Sequence, residues 1–229
     1  MHVAVNAAMS ADGKLSSRRR SQVAISGPDD FDRVDRLRAE SDAVMVGVGT
    51  VLADDPSLTL DDPDRVAERE ARGEPPHPAR VVADSRARTP TDAAVLDGEA
   101  TTYLLVSKVA DDDHIAALEN AGAEIVTAGA QLVDLRDAFD ELESRGVERL
   151  MVEGGGELIF SLFHDNLVDE LSVYVGNVVI GGADAPTLAD GKGFVEQFPS
   201  LSLDDVSRVD DGVLLEWTVD WCWWPVASA

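Results

Sequence analysis

Short apolar runs alternate with amphipathic stretches along most of the chain. Eight of the runs have the length and composition of buried strands, and they lie at residues 2–9, 43–48, 80–83, 101–106, 124–127, 150–152, 171–175 and 213–219. Four amphipathic stretches predict helices, at residues 28–40, 111–121, 134–145 and 158–163. Strands and helices that alternate in this way predict an α/β domain with a mostly parallel sheet.

The chain shows no internal repeat. We expect a single domain over residues 1–220 and a tryptophan-rich C-terminal tail over residues 221–229. The stretch from Trp217 to Trp224 contains all four tryptophans; either it covers a sheet edge or a subunit interface, or it is a variable tail. Residues 61–78 are charged and contain proline, and we interpret them as an exposed excursion.

The composition is that of an enzyme-sized globular domain. Hydrophobic residues make up 45% of the 229 positions, an ordinary share for a globular protein. No apolar run reaches the length of about 18 residues that spans a membrane, and the first ten residues lack the basic start of a secretion signal. Cys222 is the only cysteine, which excludes an internal disulfide and a cysteine-rich metal site. We therefore expect a cytoplasmic protein that is not associated with a membrane.

The net charge limits the choice of partners. The chain has 44 acidic and 19 basic residues and a formal net charge of −25. A surface this acidic repels nucleic acid and anionic membranes, so we expect neither as a partner. The charges also repel one another unless salt screens them, which favours a halophilic cytoplasm. The alternative is an ordinary acidic protein from a mesophile.

The most informative segment joins the predicted strand at 150–152 to the predicted helix at 158–163 through Gly154, Gly155 and Gly156. Glycines let a ligand approach the backbone closely, and the free amide groups at a helix start attract a diphosphate. The segment is neither the GxGxxG dinucleotide fingerprint nor a P-loop. The alternative is a tight strand-to-helix turn, although three consecutive glycines exceed what such a turn needs.

Two other predicted strand ends carry polar groups that could bind a ligand. Thr50 and Asp54 follow the strand at 43–48, and open α/β sheets bind ligands at the carboxyl ends of their strands. The alternative is that this pair caps a short helix. Ser85 ends a later strand, next to Arg86, which is a candidate partner for an anionic cofactor. A weaker signal is the Ala-Asp-Gly-Lys turn after the first strand, which could equally be a plain loop reversal.

Several catalytic motifs are missing. The sequence has no HxE segment followed by CxxC, which excludes the zinc chemistry of nucleobase deaminases. It also lacks HExxH and GxSxG, the motifs of zinc proteases and serine hydrolases. The four histidines occur in scattered contexts, so we interpret them as structural or surface residues and expect no metal site.

Five blocks of sequence together resemble the reductase family of riboflavin biosynthesis. They are RLRAESDAVMVGVGTVLADDPSLTL, RVVADS, MVEGGGEL, LVDELSVYV and IGGADAPTL, in this order. The resemblance extends from about Val3 to Val219. It implies a dihydrofolate-reductase-like fold, with a mostly parallel central sheet flanked by helices and antiparallel strands at the C-terminal end. It also implies a homodimer that uses NADPH or, alternatively, NADH.

The resemblance further implies a reaction. Family members reduce 2,5-diamino-6-(5-phosphoribosylamino)pyrimidin-4(3H)-one to the ribitylamino compound, by hydride transfer to ribose C1′ of the ring-opened imine. This chain has no deaminase motif, so it resembles the stand-alone archaeal and fungal form, in which reduction precedes deamination. One alternative is a reductase for the deaminated 5-amino-6-(5-phosphoribosylamino)uracil. Dihydrofolate reductase is a rival enzyme with the same fold, and a non-catalytic nucleotide-binding protein is a rival of another class.

The resemblance assigns roles to individual positions. The residues matched to cofactor binding are Ala8, Thr50, Asp54, Ser85, Gly154, Gly155, Gly156 and Glu157. The residues matched to substrate binding are Asn6, Ser21, Arg38, Leu58 and Glu153. Arg38 is our choice for the substrate phosphate, because a guanidinium binds phosphate in a bidentate manner. Asp54 and Glu153 are our candidates for assisting ring opening.

Two positions depart from the pattern of many bacterial members, which carry a lysine near Asn6 and an arginine near Asp61. Asn6 cannot act as a cationic acid, and Asp61 cannot hold a phosphate. A chain this acidic must still attract two polyanions, the cofactor and the substrate. We therefore predict a local basic lining that includes Lys14, Arg38 and Arg86.

Overall fold

The computed structural model describes residues 1–21 and 23–224. Gln22 and residues 225–229, the end of the predicted tail, lie outside the described residues. The chain forms two compact units: the first holds Met1 and residues 32–153, and the second holds residues 2–31 and the chain from Gly154 onward.

In chain order, the helices and strands are β1 (His2–Ser10), α1 (Pro28–Ala39), β2 (Ala43–Gly47), α2 (Val48–Asp54), α3 (Pro63–Ala71), β3 (Ala79–Ala83), β4 (Thr102–Val106), α4 (Asp112–Asn120), β5 (Ala123–Thr127), α5 (Leu135–Ser144), β6 (Arg149–Val152), α6 (Gly156–His164), β7 (Glu170–Gly176), β8 (Phe198–Val209) and β9 (Gly212–Trp224). A short 3₁₀ turn at Ala94–Leu96 lies between β3 and β4.

The first unit is built on five parallel strands in the spatial order β5, β4, β3, β2, β6. Its central strands are continuous apolar runs, as expected for parallel strands that are covered on both faces. Val44, Met45 and Val46 of β2, for example, are at most 1% exposed. Along α5, the predicted apolar stripe of Leu135, Ala138, Phe139 and Leu142 is buried, which confirms that helix's inward face.

The second unit combines parallel and antiparallel pairing. β1 runs parallel to β7, and β9 joins the other edge of β7 in the antiparallel direction. β8 pairs antiparallel with β9 and is the last strand on that side. At the β8–β9 turn, the carboxylate of Asp210 accepts hydrogen bonds from the backbone N–H groups of Asp29 (3.3 Å) and Asp30 (3.1 Å). These are first-turn groups of α1 that have no partner within the helix.

All eight predicted strands and all four predicted helices are present. The strand predicted at 213–219 is longer than expected, since β9 continues to Trp224 and takes in the start of the segment that we assigned to the tail. The sequence pattern missed β8. Most of its residues are exposed and many are polar, and such a strand has no apolar run to mark it.

Between β2 and β3, the structure rules out the alternative that Thr50 and Asp54 cap a short helix, and it adds a helix to the predicted excursion. Thr50 and Asp54 lie within α2, and neither caps it: the N-cap is Gly47 and the C-cap is Asp55. The excursion that we predicted at 61–78 contains α3, which begins after the N-cap Asp62. Proline at the first helical position is favourable, because its missing N–H has no partner there in any case.

Arg69 of α3 is buried, at 3% exposure, and supplies hydrogen bonds to the end of α1. Its Nη1 atom donates to the carbonyl oxygens of Ala39 (2.8 Å) and Ser41 (2.9 Å), and its Nε atom donates to Pro75 (3.0 Å). The last carbonyl groups of a helix have no partner within it. The Ala39 carbonyl also accepts from Arg72 Nη2 (3.2 Å), so the carbonyl groups of Ser41 and Pro75 depend most on Arg69.

Replacing Arg69 with Met should lower the free energy of unfolding by about 1–3 kcal/mol, because buried carbonyl groups lose their donors. Urea denaturation at fixed salt measures this as a lower midpoint with an unchanged slope. Arg208→Met is the matched control, since the Arg208 side chain is 79% exposed, and we expect a change within about 0.5 kcal/mol. Equal losses in the two variants would contradict the proposed role of Arg69.

Candidate active site

Three of the predicted site segments lie at the carboxyl ends of the strands in the first unit's sheet. β6, β2 and β3 are parallel neighbours, so their carboxyl ends lie side by side. Glu153 follows β6, the helix with Thr50 and Asp54 follows β2, and Ser85 is the second residue after β3. Ligands of open α/β sheets bind at this edge.

Arg38 and Glu153, both predicted to bind the substrate, form a bidentate ion pair. Arg38 Nε lies 2.5 Å from Glu153 Oε1, and Arg38 Nη2 lies 2.7 Å from Glu153 Oε2. The two side chains are 17% and 13% exposed. The backbone N–H of Glu153 donates to Met45 of β2 (2.9 Å), and Arg38 Nη1 donates to the carbonyl oxygen of Thr59 (3.0 Å). The pair thus connects the end of α1 to the sheet edge.

The surroundings keep Arg38 charged. Burial lowers the pKa of Arg38, but the carboxylates of Glu153, Asp61 and Asp35 raise it by more, so the net shift is upward. The bonds to Glu153 and Thr59 use three of the five guanidinium N–H groups. One N–H on Nη1 and one on Nη2 are left for a ligand, and a guanidinium N–H binds phosphate well.

Thr50 and Asp54 lie one helical turn apart on α2, so both point to the same side of this helix. Within the described residues, neither side chain has a hydrogen-bond partner. Asp54 is exposed at the helix end, and the nearby protein removes enough of its hydration to raise the pKa of its carboxyl. This face of α2 therefore offers a hydroxyl and a carboxyl to a ligand.

Leu58 offers a ligand less than we expected. It has a φ of +57°, in the left-handed region that few non-glycine residues adopt. Its side chain is 2% exposed and packs in the core with Val48 and Val51. Any contact of Leu58 with a substrate must therefore come from its backbone.

Ser85 is fixed by bonds on both sides. Its Oγ accepts from the backbone N–H of Val133 (3.0 Å), and its carbonyl oxygen accepts from Ser107 Oγ (2.7 Å). The fully buried Asp84 orders the same turn by accepting from the N–H and the hydroxyl of Thr89 (2.7 and 2.8 Å). The Ser85 hydroxyl keeps its own hydrogen for a ligand, and Arg86 beside it is exposed.

In the second unit, the glycine junction has the geometry of a backbone cradle. Gly154 and Gly155 have φ values of +136° and +93°, which side chains disfavour. A Cβ on Gly154 would meet no described atom within 4 Å, so the space beside it is open. A Cβ on Gly156 would lie 2.4 Å from the carbonyl oxygen of Thr187, which accounts for that glycine by close packing. The first amide groups of α6 have no partners within the helix and suit a diphosphate.

The second unit also contains the predicted site residues of β1, the segment after it and the first turn of α6. Asn6 and Ala8 point to the same face of β1, where Asn6 is 8% exposed and Ala8 packs against the cluster formed around Tyr174. Ser21 is exposed and donates its N–H to Ser17 Oγ (3.3 Å). Glu157 is exposed in the first turn of α6.

Sequence reasoning missed the role of Asp12 in the turn after β1. Its carboxylate accepts from Ser10 Oγ (2.6 Å) and from the backbone N–H groups of Ile180 (3.0 Å) and Gly181 (2.7 Å). The bond to Ser10, followed by these backbone bonds, lowers the pKa of Asp12 to about 2. The Asp-Gly turn was the only local signal, because the partners lie nearly 170 residues away (168 and 169 positions).

The comparison with protein families decides the identity. A family described as the RibD C-terminal domain matches residues 1–215. The chain belongs to this family. The predicted membership of the riboflavin-biosynthesis reductases is thereby confirmed.

Individual members of the RibD C-terminal domain family match nearly the whole chain. A protein of Archaeoglobus fulgidus named 2,5-diamino-6-ribosylamino-4(3H)-pyrimidinone 5′-phosphate reductase is 45% identical over 211 residues, which cover 92% of this chain and 94% of that protein. A protein of the same name from Methanothermobacter thermautotrophicus is 42% identical over 221 residues, covering 95% and 98%. These relatives are oxidoreductases, which confirms the predicted enzyme class.

A solved structure supports the fold. The pyrimidine reductase-like protein of Corynebacterium diphtheriae superposes with a TM-score of 0.84 at 18% identity, covering 96% of this chain and 92% of that one. At this identity the similarity shows the fold alone, and it confirms the predicted dihydrofolate-reductase-like class.

Membership of this reductase family implies a nicotinamide cofactor, and the open space beside Gly154 and the amide groups of α6 fit its diphosphate. Within residues 1–21 and 23–224, no three His, Cys, Asp or Glu side chains are grouped to hold a metal ion. Every helix in this part of the chain is too short or too polar to cross a bilayer.

The Arg38–Glu153 pair should show strong energetic coupling. Arg38→Met and Glu153→Gln should each lower the free energy of unfolding by roughly 2 kcal/mol, because each leaves a partly buried charge without its partner. The double variant should lose less than the sum by more than about 1 kcal/mol. Urea denaturation of the four proteins measures this.

The exposed pair of Arg145 and Glu141 is the matched control, with side chains that are 29% and 47% exposed. Arg145→Met and Glu141→Gln should couple by less than about 0.5 kcal/mol. Additive losses at Arg38 and Glu153 would show that their contact contributes no energy of its own.

Proposed function

We propose that this chain is an NADPH-dependent reductase of riboflavin biosynthesis that converts 2,5-diamino-6-(5-phosphoribosylamino)pyrimidin-4(3H)-one to its ribitylamino product. The observation that carries the proposal is the 42–45% identity, over more than nine-tenths of the chain, to archaeal proteins named for this substrate. The ion pair at the sheet edge and the glycine junction supply groups of the chemistry that the substrate and the cofactor require.

The cofactor contacts that we propose use mostly backbone and neutral groups. The amide groups that follow Gly154, including that of Glu157, hold the diphosphate. Thr50, Asp54 and Ser85 bind the remaining polar groups, and the small Ala8 leaves room for a flat ring. When bound, NADPH supplies the hydride that is added to ribose C1′.

The substrate contacts that we propose centre on Arg38. Its two remaining N–H groups bind the phosphate, while Glu153 holds the guanidinium in place and accepts from an amino group of the pyrimidine. Asn6 and Ser21 provide neutral hydrogen-bonding groups, and Leu58 contributes through its backbone. Of the predicted basic lining, Lys14 already donates to the carbonyl oxygen of Ala185 (3.2 Å).

The reaction requires proton transfers that a side chain can assist. Ring opening moves the hydrogen of the ribosylamino nitrogen to the ribose ring oxygen and leaves an imine. Addition of hydride to C1′ is then balanced by a proton on the nitrogen. Glu153 gives both oxygens to Arg38, whereas the Asp54 carboxyl has no partner within the described residues and a raised pKa. We therefore assign the proton transfer to Asp54 rather than to Glu153.

A direct assay tests the substrate. In high salt, the protein should oxidise NADPH with the diamino compound and not with its deaminated analogue. Turnover with the deaminated compound alone would still identify a reductase, but one that acts after deamination and not before it. A folded protein that binds NADPH and turns over neither compound would favour a nucleotide-binding protein without catalytic function.

The same assay tests Asp54. Asp54→Asn should lower turnover at least about tenfold if the carboxyl moves a proton. Asp55→Asn is the neighbouring control: its carboxylate caps the 3₁₀ turn through Ala94 (2.8 Å), and we expect it to change stability and leave turnover intact. An unchanged rate in Asp54→Asn would remove Asp54 from the chemistry.

We further propose a homodimer formed through one face of β8 and β9. Leu201, Leu203, Val206 and Val213 on this face are between 39% and 56% exposed. An apolar patch of this kind marks an interaction surface. β7 is paired on both edges and is buried at Val173, so the proposed interface does not include it. A second copy is the proposed occupant because two chains of charge −25 repel each other elsewhere, and a two-fold axis brings identical apolar patches together.

Light scattering at fixed salt tests this interface. The unaltered protein should have the mass of a dimer, and the double variant Leu203→Glu, Val206→Glu should have the mass of a monomer, because it adds like charges to both sides of the two-fold axis. Leu132→Glu, at a side chain that is 72% exposed in the first unit, should remain dimeric. A monomeric unaltered protein, or a dimeric double variant, would reject the interface.

A further inference from the structure

The chain between β7 and β8 follows a loop over residues 177–197, and the glycine junction of the second unit packs against part of this loop. β1 and β7 are parallel, with Ser10 opposite Gly176 at their carboxyl ends. The turn after β1 and the loop after β7 therefore begin side by side. Three sets of contacts then fix the path of the loop.

The first set is made by Asp12. Its Oδ1 accepts from the N–H of Ile180 and from Ser10 Oγ, and its Oδ2 accepts from the N–H of Gly181. Two consecutive backbone N–H groups thus point at one carboxylate. Gly181 has a φ of +70°, a conformation that glycine adopts without strain, and this helps both amide groups to face Asp12.

The second set continues along the same turn. Lys14 and Thr187 form an antiparallel bridge, and the N–H of Leu15 donates to the carbonyl oxygen of Pro186 (2.9 Å). Lys14 Nζ reaches the carbonyl oxygen of Ala185 (3.2 Å). The turn after β1 is therefore bonded to the loop at 180–181 and again at 185–187.

The third set joins the loop to the glycine junction. The N–H of Asp190 donates to the carbonyl oxygen of Gly156 (3.0 Å), and the N–H and hydroxyl of Thr187 donate to Asp190 Oδ1 (3.0 and 2.6 Å). A Cβ on Gly156 would lie 2.4 Å from the carbonyl oxygen of Thr187 and 2.7 Å from Asp190 Oδ2. Residues 187–190 therefore form a wall against the first residue of α6.

We propose that Asp12 is a positioning residue for cofactor binding: by holding Ile180 and Gly181, it sets the place of residues 185–190 and so the shape of the cradle at Gly154–Gly156. Asp12 acts through the loop and does not touch the cofactor. The inference rests on the proposed function, since it takes the diphosphate of NADPH as the ligand of the cradle. The low pKa of Asp12 agrees with it, because the carboxylate is ionised at neutral pH and accepts these hydrogen bonds as an anion.

Asp12→Asn is the informative variant because it keeps the size of the side chain. An amide has one oxygen to accept hydrogen bonds, and its NH₂ group would face a backbone N–H. We expect the dissociation constant and the KM for NADPH to rise about tenfold, the equivalent of roughly one lost hydrogen bond. Turnover at saturating NADPH should stay within about twofold, because binding is lost and not chemistry. Hydrogen exchange at residues 180–190 should become faster.

The chain offers a matched control in Asp42. Its Oδ2 also accepts from two consecutive backbone N–H groups, those of Glu148 (2.9 Å) and Arg149 (2.8 Å), but it does so at the start of β6 in the first unit. Asp42→Asn makes the same change of charge at a comparable pair of N–H groups and should keep the affinity for NADPH. If Asp12→Asn fails to fold, Ser10→Ala replaces it, since this variant removes one of the three donors to Asp12 and should weaken NADPH binding by a few-fold.

The outcomes separate the inference from the proposed function. An affinity within twofold of the unaltered protein in Asp12→Asn, or equal weakening in Asp42→Asn, would overturn the positioning role while leaving the reductase intact. An unaltered protein that binds no NADPH would overturn the proposed function and this inference together. Weaker binding confined to Asp12→Asn, with faster exchange at 180–190, is the result that we expect.

Discussion

Parallel pairing of β6, β2 and β3 places the groups of the first unit's candidate site at one edge. Neighbouring parallel strands end on the same side of the sheet. The segments that follow these three strands therefore lie side by side, although their residues Glu153, Thr50 and Ser85 are far apart in the sequence. The end of β6 is fixed by a charged contact. Arg38 reaches it from α1 and pairs with Glu153 over two hydrogen bonds, so the packing of α1 on the sheet determines where the guanidinium lies.

The ion pair also bears on how an acidic protein binds anions. Arg38 is surrounded by the carboxylates of Glu153, Asp61 and Asp35, which secure its charge and leave little net positive potential around it. Attraction of a polyanion over long distances is therefore weak, and close contacts have to provide the affinity. Backbone amide groups at a helix start meet this need because they carry no counter-charge of their own. The glycine junction before α6 provides such groups.

In the second unit, parallel pairing brings two loops side by side. β1 and β7 end together, and the segments that follow them are bonded to each other through Asp12, Lys14 and Leu15. The loop from β7 then packs against Gly156 with a spacing that leaves no room for a side chain. An acidic turn, a glycine-containing loop and a glycine junction are in this way parts of one arrangement of hydrogen bonds.

The sequence by itself determined the order of the elements, the fold class and the strand ends that carry polar groups, because buried strands and amphipathic helices leave periodic patterns in the chain. It did not reveal β8, whose exposed residues lack an apolar run, or α3, whose buried Arg69 looks like a surface charge in the sequence. Only the tertiary structure paired Arg38 with Glu153 and Asp12 with Ile180 and Gly181. These partners are more than a hundred residues apart, and a hydrogen bond between them follows from the path of the folded chain rather than from any local pattern.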